Sequence, residues 1–452
     1  MNKRLLPSLL VASCAIAPSP AFAQQDDVAA LRAEIARLRG ALESMEARLN
    51  KVETAPVPAP APAPLAAAAT PAPAAELPTK IQWRGAPQFT RSDGLMFKPR
   101  GRLQLDMNHI SRPSGNNAPT LGWSADVRRA YLGVDGAVGG GFGYRLEVDF
   151  ASGNAQFTDA WMTYETGPLT LTLGHHRMTT LEDVTSDLDT SFLERAAYTQ
   201  AFGLERRLGF SAEYSKGIFL IGAGIFSDDL ETLGSGITAN GYSLDSRIVA
   251  MPKLGDTQLH FGGSVHHREL NDVATSLRYR ARPAARTTDV RFVDTRAFSA
   301  TAETGYGLEF GLAHGPIHVA SEAYWQKVAR PGLADPTFFG GYGEIGYVIA
   351  GAKGRPYRDG AFGTIKPIRG LDKGGSGAWQ MNARYDWLDL NSAGINGGTQ
   401  STYGASLIWV PIEHIKFMAN YVRVQVSDTP ILAGTQDDYG ADVFGLRAQY
   451  DF

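Results

Sequence analysis

Between Leu277 and Arg291 the chain carries Arg278, Arg280, Arg282, Arg286 and Arg291. A guanidinium stays charged and offers forked donors that fit phosphate or carboxylate oxygens. Arg278, Arg280 and Arg282 are spaced i, i+2, i+4, so in an extended segment they project to one side as a ladder. Such a row hands an anion from one partner to the next instead of trapping it. The plainer reading is a solvated basic loop facing lipopolysaccharide. Other chemistry is weakly supported. His175-His176 and His266-His267 are adjacent, so in strands each pair points to opposite faces and does not chelate one metal. Asp183, Asp187 and Asp189 offer oxygens, but their spacing matches no calcium-loop template. No Gly-x-Ser-x-Gly or Walker pattern occurs, no motif asks for a cofactor, and an enzyme is not expected.

These arginines need a scaffold, and the scaffold is written as alternation. In Asp442 to Phe452, Phe444, Leu446, Ala448, Tyr450 and Phe452 share one parity, while Val443, Gly445, Arg447, Gln449 and Asp451 share the other. In Met96 to Ile110, Leu103, Leu105 and Met107 oppose Lys98, Arg100, Arg102, Gln104, Asp106 and Asn108. Six consecutive polar positions are too many for a dry core. The cheaper arrangement turns the apolar face to lipid and the polar face to a wet lumen. Tyr144, Leu146, Val148 and Phe150 alternate with Arg145, Glu147 and Asp149, and Trp379 to Trp387 repeats the pattern. Trp161, Trp325, Trp409 and Tyr421 are expected in aromatic girdles at the membrane boundaries. About sixteen strands are expected, centred near 103, 130, 146, 161, 172, 210, 222, 246, 262, 306, 322, 344, 384, 406, 420 and 447. The fold class is therefore an all-β membrane protein, a transmembrane antiparallel barrel over 95–452. Short turns at one end alternate with longer loops at the other. Gly351 to Ser376 breaks that rule, being long on the short-turn side.

Ahead of the barrel three segments are expected. Lys3 and Arg4, an apolar stretch from Leu5 to Ala17 and Ala21-Phe22-Ala23 make 1–23 a signal peptide. It contains Cys14, the single cysteine, in a stretch that also loosely resembles a lipoprotein box. Val28, Leu31, Ile35, Leu38, Leu42, Met45, Leu49 and Val52 form an unbroken heptad seam, so 24–53 is expected to be a periplasmic coiled coil. Residues 54–94 are expected to be a Pro/Ala-rich tether, with the proline concentrated in Thr54 to Pro78. Across 452 residues the net charge is −3, which gives no sign of a nucleic-acid partner.

Several stretches resemble the phosphate-selective porins of the O/P type. They are Gly101 to Asp106, Arg128 to Val134, Asp159 to Tyr164, Ser191 to Arg195, Gly341 to Pro367 and Trp379 to Asn391. The resemblance implies a trimeric, sixteen-stranded outer-membrane barrel that passes inorganic phosphate, polyphosphate or other small anions, with loops folded into the pore. It implies that the Leu277 to Arg291 loop folds inward and that Arg102 and Arg129 continue the arginine path. It also implies that the connector carrying Lys353, Arg355, Arg358, Lys366, Arg369 and Lys373 folds in at the exit. There are two departures. Ala350-Gly351-Ala352 stands where Thr-Gly-Glu is common. His175-His176-Arg177-Met178 stands where Lys and Pro are common, which places Arg177 at the constriction. The alternative function is a general or structural barrel that tethers the envelope through its coil; such an anchor needs no aligned arginines.

The heptad seam yields a test. Glu34 with Arg39 and Arg48 with Glu53 are placed for g–e′ pairing between parallel, in-register helices. A peptide covering Asp26 to Glu53 should self-associate in sedimentation equilibrium. A strictly monomeric peptide at high concentration would remove the coil from any role in assembly.

Overall fold

The computed structural model describes residues 78–452 apart from 117, 152, 204–205, 228–240 and 271–274, together with 36–37, 39–40 and 43–44. The last six positions are helical; the signal peptide, the heptad residues and 54–77 of the tether lie outside the described residues.

Sixteen strands close a barrel. They are β1 Leu95–Ile110, β2 Gly122–Gly139, β3 Phe142–Asp149, β4 Gln156–Thr166, β5 Leu169–His176, β6 Arg207–Lys216, β7 Phe219–Phe226 and β8 Tyr242–Ala250. The second half is β9 Thr257–Glu269, β10 Ala302–His314, β11 Ile317–Ala329, β12 Thr337–Ala350, β13 Ala378–Ser392, β14 Ile395–Ile412, β15 Ile415–Ser427 and β16 Tyr439–Asp451. Each pairs antiparallel with the next, and β16 returns to β1 from Val443 opposite Ile110 to Asp451 opposite Arg102. Every expected centre falls inside an observed strand. Among the described residues no helix is long and apolar enough to cross a membrane. The strands do the crossing.

The alternation decides which face is which. On β1, Leu103, Leu105 and Met107 are 40%, 45% and 43% exposed, while Gln104 and Asp106 are 0% and 4% exposed. An arginine on a lipid face at mid-membrane costs about 2–4 kcal/mol, so the charges turn inward. One irregularity matters for the interior. The register of β1 against β2 pairs Gln104 with Arg129 and Leu105 with Val127, leaving Arg128 as an extra residue. This bulge lets adjacent residues fall on one face, so Arg128 and Arg129 both enter the lumen.

The girdle expectation holds only in part. Trp409 stacks on Trp379 at 5.2 Å and on Phe417 at 5.5 Å, all near the short-turn end. Trp161 differs. It opposes Arg145 across β3 and β4, takes that guanidinium 5.0 Å from its ring centre, and lines an interior cavity. The bulge between Leu146 and Val148 resets the local parity. Strand structure is also present ahead of Leu95. Within the stretch expected as tether, Thr79–Arg84 and Ala86–Arg91 form a β-hairpin that pairs with the start of β1.

Closure of the barrel brings Phe452 onto Gly101. The two residues exchange backbone hydrogen bonds of 3.0 and 3.2 Å. A Cβ at Gly101 would lie 2.2 Å from the Phe452 ring, so any side chain there displaces that ring. Gly101→Val and Phe452→Asp should each reduce the amount of heat-modifiable barrel recovered from membranes. Unchanged recovery in both would show that this contact is dispensable for assembly.

Candidate functional site

The interior is narrowed by loop 177–206, which carries two short helices, α1 Leu181–Val184 and α2 Ala197–Phe202. Wall side chains hold it from several directions. The Glu322 carboxylate accepts from the Leu181 and Glu182 amides at 2.8 Å each, and Asp386 accepts from the Ala197 amide at 3.2 Å. Arg384 pairs with Glu182 at 3.0 Å. Ser406 Oγ donates to the Ser191 carbonyl at 2.7 Å, and Lys416 Nζ donates to the Leu188 carbonyl. Tyr198 and Phe202 of α2 pack on Tyr324, with ring centres 5.6 and 5.8 Å apart, and Phe202 also meets Tyr279. One side of the barrel is thereby filled.

Two further segments join this filling. Loop 270–301 lies inward, with Ala281, Ala285, Phe292 and Val293 fully buried. Its Arg282 amide donates to Gln200 of loop 177–206, and Thr429 Oγ1 donates to its Phe292 carbonyl. From the short-turn side comes connector 351–377. Arg355 is its anchor, donating to Ser191 Oγ at 2.7 Å and to the Asp189 carbonyl at 2.6 Å, and pairing with Glu344 at 3.3 Å. Thr364 adds two bonds, to Asp189 Oδ1 and the Leu188 carbonyl. The long connector therefore folds into the barrel, as the resemblance implied. Its five other cations, Lys353, Arg358, Lys366, Arg369 and Lys373, stay exposed.

The charges are partitioned. Asp245, Glu303, Glu309, Glu322, Glu344 and Asp386 are buried on strands β8 to β13, and all serve packing. Glu309 holds Arg247 at 2.7 Å and Asp245 holds Arg207, for example. On the opposite wall a cavity of about 460 Å³ remains open. It is lined by eight arginines (128, 129, 177, 195, 206, 282, 286 and 447) against four carboxylates, Asp149, Asp183, Asp187 and Glu194. A smaller chamber of about 220 Å³ adds Arg100, Arg102 and Arg145 against Asp159, with Trp161 and His176. The two spaces share Arg177, Arg206 and Asp187, which form the neck between them.

Asp187 is the centre of that neck. Arg195, Arg129 and Arg102 approach it at 2.7, 3.0 and 3.5 Å. Burial alone would raise its pKa, but Arg129, Arg195, Arg177 and Arg102 outweigh burial and hold it well below the usual carboxylate range. Glu194 is similar: burial pulls up, Arg128 and Arg447 pull harder, and the result is about 2. Arg177 is pushed down to about 10 by burial and then by Arg206, against the pull of Asp183, so it remains a cation near neutrality.

The expected site residues fall into two groups. Arg129, Arg177, Arg282 and Arg286 meet at the larger cavity, and Arg102 lines the smaller chamber. Arg278, Arg280 and Arg291 line neither. Arg278 pairs with Asp294, Arg280 is exposed, and Arg291 turns back to the Asp289 and Val290 carbonyls. The ladder fails because the extended runs are only Thr275–Leu277 and Arg280–Ala281. Arg282 instead curls to the Thr288 carbonyl, and Arg286 donates to the Arg128 carbonyl. Neither has a carboxylate partner among the described residues. Burial lowers the pKa of Arg282, with Arg286 and Arg128 adding to the effect against Glu194. The histidine expectation also needs correction: His175 and His176 are both buried and each lines an interior cavity. Gly174, at φ 135, breaks the alternation just before them. Sequence reasoning passed over Arg128, Arg195, Arg206 and Arg447. Arg447 had a signal in its polar parity; Arg128 had none without the bulge.

Comparison with known proteins places this architecture. Residues 97–452 match the family described as phosphate-selective porin O and P. An uncharacterized protein of Caulobacter vibrioides is 42% identical over 473 residues, covering 99% of this chain and 96% of its own. Outer-membrane expressed OmpT of Vibrio cholerae is similar with a TM-score of 0.53 at 13% identity, over 80% of this chain and 99% of that one. A trimer form of OmpT gives 0.51 at 13% identity, over 79% and 99%. An anion-selective porin from Comamonas acidovorans gives 0.51 at 11% identity, over 79% and 99%. At these identities the solved structures speak to the fold.

The Asp187 cluster generates a prediction. Removing one member of a buried ion network costs about 3–5 kcal/mol. Asp187→Asn should therefore loosen loop 177–206 while unmasking three arginines. Single-channel records should show more frequent closures together with higher anion conductance at low salt. In wild type a depressed carboxylate keeps its contribution at every pH above its unfolded value of about 4 and loses it only below. Acidification from pH 7 to 5 should leave gating noise unchanged; noise that rises in that window would place the anchor elsewhere.

Proposed function

This chain belongs to the phosphate-selective porin O and P family, and we propose that its arginine-lined passage conducts phosphate and related small anions by passive diffusion. It is an outer-membrane β-barrel porin, a channel. The observation that carries the anion reading is the excess of arginines over carboxylates along the open passage, with Arg282 and Arg286 lacking acidic partners among the described residues. A charge in a narrow aqueous passage acts through a lower effective dielectric than bulk water. Unpaired guanidinium groups at the wider side draw anions in. Arg177 and Arg206, shared by both chambers, present the next partners at the neck. Five or more guanidinium groups within one passage suit multivalent oxyanions such as phosphate and short polyphosphates better than chloride, because each oxygen is offered a forked donor. Planar guanidinium donors also fit carboxylates, so organic acids are a related substrate class.

A homotrimer is part of the proposal. It is supported by the trimer form described for OmpT and by the heptad seam of 24–53, read as a periplasmic coiled coil that follows a cleaved signal peptide. The partners proposed are the anions themselves, other copies of the chain, and the outer-membrane lipid, including lipopolysaccharide at the long-loop end.

Zero-current potentials across a salt gradient test the reading. Reversing one charge changes the energy of an ion about 5 Å away by ~2 kcal/mol even at the dielectric constant of water. Arg282→Glu with Arg286→Glu should therefore cut the anion-to-cation permeability ratio by at least about tenfold at low salt, and by less near 1 M, where screening acts within about 3 Å. Arg177→Glu should keep its effect at high salt, because the neck is less wet. Phosphate should compete with chloride for conductance in wild type. A wild-type channel that prefers cations would overturn the proposal and favour a general porin.

A further inference from the structure

β16 stops with Asp451 opposite Arg102, whereas β1 runs on to Leu95. Phe452 carries the pairing one residue further, onto Gly101, so the Leu95–Arg100 part of β1 has β2 on one edge and no barrel strand on the other. Unpaired backbone groups at a membrane boundary are costly, and an open edge is a template for unwanted pairing. The hairpin Thr79–Arg84 and Ala86–Arg91 occupies that edge, with Phe89 opposite Phe97 and Thr90 opposite Met96. Its tip fits closely under the barrel closure. A Cβ on Gly85 would lie 2.8 Å from the Phe452 Cα and 2.9 Å from the His414 ring.

Directly opposed residues on neighbouring strands share a face. The hairpin register sets Ile81 opposite Phe89 and Trp83 opposite Pro87. Ile81, Phe89 and Phe97 therefore form one row, and Trp83 with Pro87 forms the next. Phe97 has the outward parity of Leu103, Leu105 and Met107, and its ring lies 6.4 Å from that of Phe89. The row continues the apolar outer surface of the barrel without a break. Ile81 and Trp83 are 62% and 76% exposed. Lys80, Gln82 and Arg84 fall on the opposite parity, the side of Lys98.

We infer that this hairpin is seated in the periplasmic leaflet of the membrane, with Ile81 and Phe89 inserted among phospholipids where acyl chains meet headgroups and Trp83 at the rim of the barrel mouth. The argument is continuity. The face of the sheet that meets lipid over β1 is the same face that carries these residues, and tryptophan and branched apolar side chains belong at that boundary. Residues 79–91 are then part of the membrane-embedded wall, and the tether proper ends before them. At the tip, Trp83 also borders a cavity at the barrel mouth beside Lys366 and Glu413, so Ile81 carries the decisive test.

The experiment uses the full chain, refolded into phospholipid vesicles in a Cys14→Ser background. Single cysteines at Ile81, Gln82 and Leu308 carry a polarity-sensitive fluorophore, and heat-modifiable mobility establishes that each variant is a folded barrel. Leu308 is the lipid-facing reference on β10. Nitroxide-bearing phospholipid should quench the label at position 81 to the same extent as at 308, and aqueous iodide should quench position 82 far more than position 81. Iodide quenching at 81 equal to that at 82 would overturn the inference. So would disulfide-linked dimers of Ile81→Cys formed with no quenching by lipid, which would assign this face to a second copy of the chain. Both outcomes are independent of which ion the passage conducts.

Discussion

The interior depends on the position of one carboxylate. Asp187 lines both interior cavities, held by Arg102 and Arg129 from the wall and by Arg195 from its own loop. None of these groups is stable there alone. A buried guanidinium without an anion, or a buried carboxylate without cations, carries a desolvation cost that no single hydrogen bond repays. The loop must therefore enter the barrel for the wall arginines to be tolerated, and the wall arginines must be present for the loop to stay. Wall and loop specify each other through this cluster, and the Leu188 carbonyl beside it receives Lys416 from the far side.

The same principle separates charges consumed by packing from charges left beside open space. On strands β8 to β13 the inward carboxylates are satisfied by backbone amides of α1 and α2, by paired cations or by hydroxyls, and they face packed protein. They therefore contribute little field to water. On the opposite wall the cations outnumber the acids, and the passage stays open beside them. A roughly neutral chain, at −3 overall, thus lines an open cavity with twice as many arginines as carboxylates. Net charge carried no information about this, because what matters is which charges are consumed by packing.

That distinction also marks how much the residues alone disclosed. The barrel was legible because strand parity repeats sixteen times between glycine- and proline-marked turns. Arg102 and Arg129 were legible as lumen residues on parity and on the family resemblance. Arg128 was not, because a bulge at one residue reverses parity and leaves no periodic trace. Trp161 and the His175-His176 pair were misread for the same reason: each lies next to a local irregularity, a bulge or a glycine at positive φ. The proposed ladder of Arg278, Arg280 and Arg282 assumed an extended segment that runs only two residues there. The hairpin at 79–91 was masked by the proline-rich composition before it.

The two kinds of irregularity do related work. A regular strand delivers one inward residue in two, which caps the density of positive charge that a wall can present. The bulge on β2 doubles that density locally, since Arg128 and Arg129 both enter the lumen. Crowding two guanidinium groups is tolerable only with acids in reach, and loop 177–206 supplies them: Glu194 meets Arg128 at 3.0 Å and Asp187 meets Arg129 at 3.0 Å. Paired charges of this kind fix geometry but attract little. On the proposed anion reading, the attraction comes from cations added beyond that neutral framework, and loop 270–301 adds two, Arg282 and Arg286, beside the bulge. Framework and attraction are thus carried by different elements. Loop 270–301 can vary in charge without unseating the neck, whereas loop 177–206 cannot lose an acid without disturbing the wall it neutralises.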